Sequence, residues 1–211
     1  AKIKAEVGEQ VFSSQWQQFP TLPGGNMLKL EQFRRYEVLP PRHWLEYYVQ
    51  SWDTAVTASD TSDYSVCTTW GKRGNHHYLI DVCRVKLEYP DLRKAVEEQF
   101  LKHGPKLVIL EGSHIGKALY REFYRSKYCR ETNDGPIVFK FYTPRVSKEE
   151  RAAVQSVKIE QGFVWLPTVA DWLEVFEKEV REFPVGKNDD QVDSMVQYLA
   201  VIALRIPRVN W

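Results

Sequence analysis

The sequence predicts an α/β domain in which a mixed sheet is flanked by helices. Three segments rich in Tyr, Val and Thr follow one another with only short connections, as strands of a meander do. The apolar spacing then changes, and segments with a helical period alternate with short apolar runs. Consecutive strands favour antiparallel pairing and alternating helices and strands favour parallel crossovers, so we expect both kinds of pairing in one sheet.

Each predicted element has its own local signal. The predicted strands, in chain order, are 45–52, 64–70, 77–87, 107–110, 137–142 and 163–166. The predicted helices are 90–103, 115–124, 147–161, 170–183 and 190–204. The continuous apolar run Leu107–Leu110 is typical of a strand buried on both faces. Pro90 suits the start of the first helix, and Ser147 with Glu150 forms a capping box at the third.

Length and composition indicate one domain preceded by an arm. The chain has 211 residues, and Pro and Gly interrupt any regular pattern in 19–25 and 39–41. We therefore expect an arm or linker over 1–43 and a compact domain over 44–211. The 29 basic and 28 acidic residues exclude a polycationic tail but allow a local basic face for nucleic acid. No apolar run is long enough to cross a membrane. The sequence contains no CxxC pair, so it does not predict a zinc site.

Acidic residues stand at the boundaries of three predicted elements. Asp53 ends the first strand, Glu111 follows the apolar run, and Asp189, Asp190 and Asp193 lie at the start of the last helix. If the first two of these strands are neighbours, both of their carboxylates emerge at the carboxyl edge of the sheet. Clustered carboxylates repel each other unless a cation neutralises them, and hard oxygen ligands select Mg²⁺ or Mn²⁺. Two such ions about 4 Å apart could hold a scissile phosphate.

Each of these residues also has a purely structural interpretation. An Asp at the end of a strand is commonly a turn or cap residue. Asp189 could be the N-cap of the last helix, with Asp190 favouring the helix dipole. A catalytic role is therefore indicated only by these acidic residues taken together and by their order along the chain.

Five short motifs occur in a distinctive order along the chain. They are Ser51–Ala55, Ser62–Ser65, Val108–Gly112, Ser147–Ala152 and Asn188–Ser194. Together they resemble the nuclease domain of the large terminase subunit of tailed bacteriophages, over most of the chain. The resemblance implies a ribonuclease H-like fold. It also implies a metal-dependent endonuclease that cuts concatemeric double-stranded viral DNA during genome packaging, by two-metal hydrolysis that leaves a 5′-phosphate and a 3′-hydroxyl.

The resemblance also implies roles for individual acidic residues. Asp53, Glu111 and Asp190 would be the catalytic, metal-binding triad for two Mg²⁺ or Mn²⁺ ions. Asp193 would be a further metal ligand, and Asp189 a supporting residue. The position that is commonly histidine in the family is Asn188 here, which leaves no histidine to act at this point.

Several other residues have both a functional and a structural interpretation. Asp63 could support a second metal or a water, or could cap the turn before the second strand. Lys148 and Arg151 could contact DNA phosphates or steady developing charge, or could form an exposed helix start with Arg151 paired to a Glu. Lys72 and Arg73, near a hairpin tip, could lie along a DNA backbone or belong to an ordinary solvated turn.

The sequence contains no G-x-x-x-x-G-K-[ST] motif, so we do not expect the chain to pump DNA by itself. We interpret it as the carboxyl-terminal part of a longer polypeptide. The resemblance implies an ATPase domain in that polypeptide, a small terminase subunit and a portal as partners, and a location in the host cell cytoplasm. Two alternatives stay open. One is another ribonuclease H-like nuclease, such as a resolvase or an integrase-like enzyme. The other is a non-catalytic module that docks DNA or the portal in a packaging complex.

Overall fold

The computed structural model describes residues 27–55, 64–125 and 138–203. The strands in these ranges are β1 Arg34–Tyr36, β2 Tyr47–Asp53, β3 Ser65–Arg73, β4 His76–Val85, β5 Leu107–Glu111, β6 Val138–Tyr142 and β7 Val164–Pro167. The α-helices are α1 Tyr89–His103, α2 His114–Tyr124, α3 Lys148–Glu160, α4 Leu173–Glu182 and α5 Asp190–Ala203. In this part of the chain, no helix has the length and apolar character needed to cross a membrane.

The seven strands form one mixed sheet in the order β1-β7-β4-β3-β2-β5-β6. The antiparallel meander consists of β2, β3 and β4. Parallel pairing extends the sheet on one side from β2 through β5 to β6, and on the other from β4 through β7 to β1. The predicted fold class is therefore confirmed. Among these strands β3 alone runs against the rest, so the carboxyl ends of the other six lie at one edge.

Helices cover both faces of the sheet. On one face α5 packs against β2 and β3, and the rings of Trp70 and Tyr198 stack with their centroids 4.6 Å apart. On the other face α1 and α2 bury Val96 and Leu119 against Val108 and Leu110 of β5. Because β5 lies between these two layers, its first four residues, Leu107–Leu110, are all apolar and buried. Almost every residue of α5 is buried, so its polar side chains need partners inside the protein.

The described part of the predicted arm contributes to both the sheet and the core. Leu28 and Phe33 are buried in the core, and β1 pairs in parallel with β7. The hydroxyl of Tyr36 donates to the carbonyl oxygen of Leu79 at 2.5 Å. Leu28, Phe33 and β1 are thus part of the core and the sheet, and a domain boundary at residue 43 stays a prediction.

The structure shifts some predicted boundaries for local reasons. Pairing of Arg73 with His76 extends β3 and leaves Gly74 and Asn75 as the turn, where Gly74 has a φ of 57°. The predicted helix 170–183 shortens to α4, which begins at residue 173. The predicted N-cap of α3 is confirmed, since the Ser147 hydroxyl accepts a hydrogen bond from a backbone amide.

Candidate active site

The parallel pairing of β2 with β5 brings two acidic residues side by side. Trp52 is opposite Leu110 in the register, so Asp53 and Glu111 are the next residues along the two strands. Burial and the neighbouring, hydrogen-bonded Glu111 raise the pKa of Asp53 well above its ordinary value. Burial and the repulsion between the two neighbouring carboxylates both favour the protonated form of Asp53. A nearby cation would act in the opposite direction.

The first turn of α5 adds two more carboxylates to this edge of the sheet. Asp190 and Asp193 both act electrostatically on Asp53 and raise its pKa further. Asp190 is buried, and its carboxylate accepts a hydrogen bond of 3.3 Å from the backbone amide of Tyr64. Residues from β2, β5 and α5 therefore converge at one place, as the order of the motifs predicts. Their roles as metal ligands stay a prediction.

Two basic residues of α3 bind the acidic residues around the start of α5. The Lys148 ammonium lies 2.8 and 2.9 Å from the two carboxylate oxygens of Asp189 and 2.7 Å from Oδ2 of Asp193. The Arg151 guanidinium lies 3.1 Å from Oδ1 of Asp193. Burial raises the pKa of Asp193, and the two basic residues act in the opposite direction. Arg151 is buried and pairs with this Asp, rather than with a neighbouring Glu on an exposed helix start.

Buried polar side chains fix α5 on the sheet beneath the acidic residues. The hydroxyl of Ser194 donates to the carbonyl oxygen of Ser51 at 2.8 Å and lies 2.7 Å from the hydroxyl of Thr68. The amide nitrogen of Gln197 donates to the Ser51 hydroxyl and to the Trp52 carbonyl, both at 3.0 Å. These bonds fix the rotation of α5 and so the direction in which its acidic residues project. Sequence reasoning missed both anchors, whose only signal is polar residues three apart in an apolar helix.

A carboxylate of α4 binds the amino end of α5. Glu179 accepts from the backbone amides of Gln191 and Val192 at 2.5 and 3.1 Å, and from the Gln191 side chain at 2.7 Å. These amides would otherwise lack partners at the start of the helix. Glu179 thus does what a side chain at the N-cap normally does, while the Asp189 side chain binds Lys148. This role was not predicted from the sequence.

The start of α2 lies very close to the backbone of Glu111. Ser113 caps this helix by accepting from the amide of Gly116 at 3.0 Å, and its hydroxyl also lies 3.0 Å from that of Thr54. A Cβ atom at position 116 would be 2.0 Å from the carbonyl oxygen of Glu111, far inside any real contact. Only glycine fits here without moving that carbonyl, so Gly116 is a positioning residue that sequence reasoning missed.

The other predicted DNA-binding pair lies far from the carboxylates. The nine-residue strand β3 begins beside Asp53 and ends at Arg73, so it separates the two ends by about 26 Å. At that distant edge Lys72 pairs with Glu46 at 2.7 Å, and the Arg73 guanidinium lies over the Trp44 ring. The structure does not bring these residues to the acidic cluster. Asp63 lies outside the described residues.

The acidic cluster has the chemistry of a site for a divalent cation, although its charges are compensated in other ways. In the described ranges, no three His, Cys, Asp or Glu side chains form a ready-made metal-binding group. Asp53 is instead hydrogen-bonded to Glu111, and Asp193 binds two basic residues. The donors are nonetheless all hard carboxylate oxygens, which Mg²⁺ and Mn²⁺ prefer. A cation would also counteract the burial and the neighbouring carboxylates that raise the pKa of Asp53.

An antiparallel meander that continues into parallel strands, with acidic residues at the carboxyl edge, defines a ribonuclease H-like domain. The sequence identifies which group of such domains this is. The family model described as the terminase RNase H-like domain matches residues 50–201, and the chain belongs to that family. The resemblance predicted from the ordered motifs is thereby confirmed.

Solved structures of phage terminases share this fold. The large terminase of the thermophilic bacteriophage D6E matches with a TM-score of 0.67 at 13% identity, over 96% of this chain and 51% of that chain. The magnesium-bound large terminase nuclease of thermophilic phage G20c matches with a TM-score of 0.60 at 15% identity, over 86% of this chain and 98% of that chain. The zinc-bound form of that nuclease matches with a TM-score of 0.59 at 16% identity, over 81% and 95%.

Because the sequence identities are low, these likenesses establish the fold alone. The chain spans about half the length of the D6E large terminase structure that it matches. No curated protein sequence matches this chain.

Proposed function

We propose that this domain is a metal-dependent endonuclease that cuts concatemeric viral double-stranded DNA during genome packaging. One observation carries the proposal, namely the convergence of Asp53, Glu111, Asp190 and Asp193 at one edge of a terminase RNase H-like domain. Structures of the G20c nuclease with bound magnesium, cobalt and zinc support a role for divalent cations.

The proposed chemistry is in-line hydrolysis of a phosphodiester that leaves a 5′-phosphate and a 3′-hydroxyl. Two bound Mg²⁺ or Mn²⁺ ions would activate the attacking water and stabilise the leaving oxygen. We assign Asp53, Glu111 and Asp190 as the catalytic ligands, Asp193 as a further ligand and Asp189 as a supporting residue. The protein's own contribution is to hold these carboxylates in place through Ser194, Gln197, Glu179 and Gly116.

A bound divalent cation would act on Asp53 in the direction opposite to burial and the neighbouring Glu111, because its positive charge favours the ionised carboxylate.

The first test is cleavage of supercoiled plasmid with Mn²⁺ or Mg²⁺, beside an EDTA control. We expect nicking or linearisation that requires the metal and is lost in both Asp53→Asn and Asp190→Asn, which keep the shape of the side chain but remove its charge. Asp91→Asn is a matched control, since Asp91 lies in the first turn of α1 and pairs with Lys94 on the surface. It should cut like the wild type. Cutting that persists unchanged in the two site variants would contradict the assignment.

A non-catalytic docking module is the second candidate function. The observation that favours it is that Lys148 and Arg151 already neutralise Asp193 without any metal. This candidate predicts that the domain binds duplex DNA equally well in the wild type and in Asp53→Asn, with no cleavage by either. Cleavage by the wild type would exclude it.

We further propose that the domain acts on duplex DNA in the host cell cytoplasm, as part of a polypeptide that also carries an ATPase domain. A small terminase subunit and a portal are the proposed partners. The likeness to one half of the D6E large terminase supports a companion domain.

A further inference from the structure

The ammonium group of Lys148 lies between two carboxylates of the candidate site. It contacts both carboxylate oxygens of Asp189 at 2.8 and 2.9 Å, and Oδ2 of Asp193 at 2.7 Å. The other oxygen of Asp193 is 3.1 Å from the guanidinium of Arg151. Both oxygens of Asp193 therefore contact basic side chains, whose positive charge opposes the approach of a divalent cation.

The two basic residues differ in how freely they can move. The side chain of Arg151 is 7% exposed, whereas that of Lys148 is 47% exposed. Lys148 is the first residue of α3, and the residues just before it, 145–147, are exposed as well. Its flexible stem can turn toward solvent without disturbing the core, while Arg151 is held inside it. Of the two contacts to Asp193, the one made by Lys148 is the one that can open.

We propose that Lys148 is a positioning residue that keeps Asp189 and Asp193 from a divalent cation until a phosphate of bound DNA draws its ammonium away. This inference rests on the proposed nuclease function. An ammonium and a divalent cation at the same carboxylates repel each other and compete for the same oxygens, so each weakens the binding of the other. A DNA phosphate is the anion that can replace Asp189 and Asp193 as the partner of the ammonium. DNA and the cation would then favour each other's binding, although they contact different groups.

The geometry suits a reversible exchange. Ion pairs that are partly open to solvent contribute little to stability, so replacing one anionic partner of Lys148 by another costs little. The carboxylates are more enclosed than the ammonium, since the side chains of Asp189 and Asp193 are 31% and 9% exposed. Departure of Lys148 would therefore leave concentrated negative charge at the place where the cation is needed.

The test is calorimetric measurement of Mn²⁺ binding to the wild type and to Lys148→Met. The variant should bind Mn²⁺ more tightly, by about three- to tenfold, because its neutral side chain no longer competes. Lys148→Arg keeps a cation at this position and should bind like the wild type. Lys94→Met makes the same change of charge by breaking an exposed pair with Asp91, 2.7 Å long, and should also leave the affinity unchanged.

Equal or weaker Mn²⁺ binding by Lys148→Met would overturn the inference, as would absence of Mn²⁺ binding in both proteins. A second measurement adds a short phosphorothioate duplex, which resists cleavage. The duplex should raise the Mn²⁺ affinity of the wild type and have little effect on Lys148→Met. An equal rise in both would contradict the role of Lys148. All of these readouts report binding, so they can succeed or fail independently of the plasmid cleavage assay.

Discussion

At Gly116 the absence of a side chain lets α2 begin directly beside the carbonyl of Glu111. A Cβ atom there would be 2.0 Å from that oxygen. We expect Gly116→Ala to destabilise the domain by about 1–3 kcal/mol through this clash, even though alanine is the better helix former. The midpoint of urea unfolding measures the change. Lys117→Ala, in the same turn but exposed, should leave the midpoint near that of the wild type. A Gly116→Ala protein as stable as the wild type would contradict the assigned contact.

The sequence predicts the acidic residues of the site better than it predicts their partners. Asp53 and Glu111 can be found because each directly follows a readable strand pattern, and parallel strands align their ends. The contact of Lys148 with Asp189 joins residues 41 positions apart, which no local pattern encodes. The same holds for Arg151, whose spacing suggests a surface helix start although its side chain is buried against Asp193.

On the scale of elements, the helix α5 is held by a few polar contacts inside an apolar interface. Removal of the Ser194 hydroxyl leaves the Ser51 carbonyl and the Thr68 hydroxyl without this partner. We expect Ser194→Ala to lower the free energy of unfolding by about 1–3 kcal/mol. Ser156→Ala is a matched control in α3, where the buried hydroxyl donates only to the carbonyl of Ala153 within its own helix. Chemical denaturation of both variants checks this, and equal losses would contradict an anchoring role for Ser194.

Elements with a local apolar pattern are predicted well, whereas β1, which has none, is not. The meander and the five helices follow alternation or helical spacing over many residues, so their existence can be predicted. The strand β1 consists only of Arg34, Arg35 and Tyr36, which show no apolar alternation. It forms because β7, from the far end of the chain, offers it an open edge. That cause is tertiary, and a local pattern cannot reveal it.

For the molecule as a whole, the buried His77 couples stability to pH. Its ring nitrogen lies 2.9 Å from the hydroxyl of Tyr198, between β4 and α5. Burial, with nearby Lys158, Lys72 and His76, lowers its pKa from 6.5 to about 3. Between about pH 6.5 and pH 3, His77 therefore binds a proton in the unfolded chain but not in the folded protein. This contribution to stability is complete above about pH 6.5 and is lost as the pH falls toward about 3.

We expect the urea midpoint of the wild type to fall between pH 7 and pH 5, and His77→Asn to show a smaller fall over this range. His114→Asn removes an exposed histidine and should keep the slope of the wild type. Parallel slopes for the wild type and His77→Asn would show that the proton uptake occurs at another group.

Because six of the seven described strands share one direction, the domain has two chemically different ends. The acidic residues converge at one end of the domain. The turn after Arg73 lies at the other end, where the Arg73 guanidinium contacts the Trp44 ring. A domain or protein that binds the far end would leave the acidic end accessible to a substrate. The direction of the strands thus separates where this domain can be tethered from where it can work.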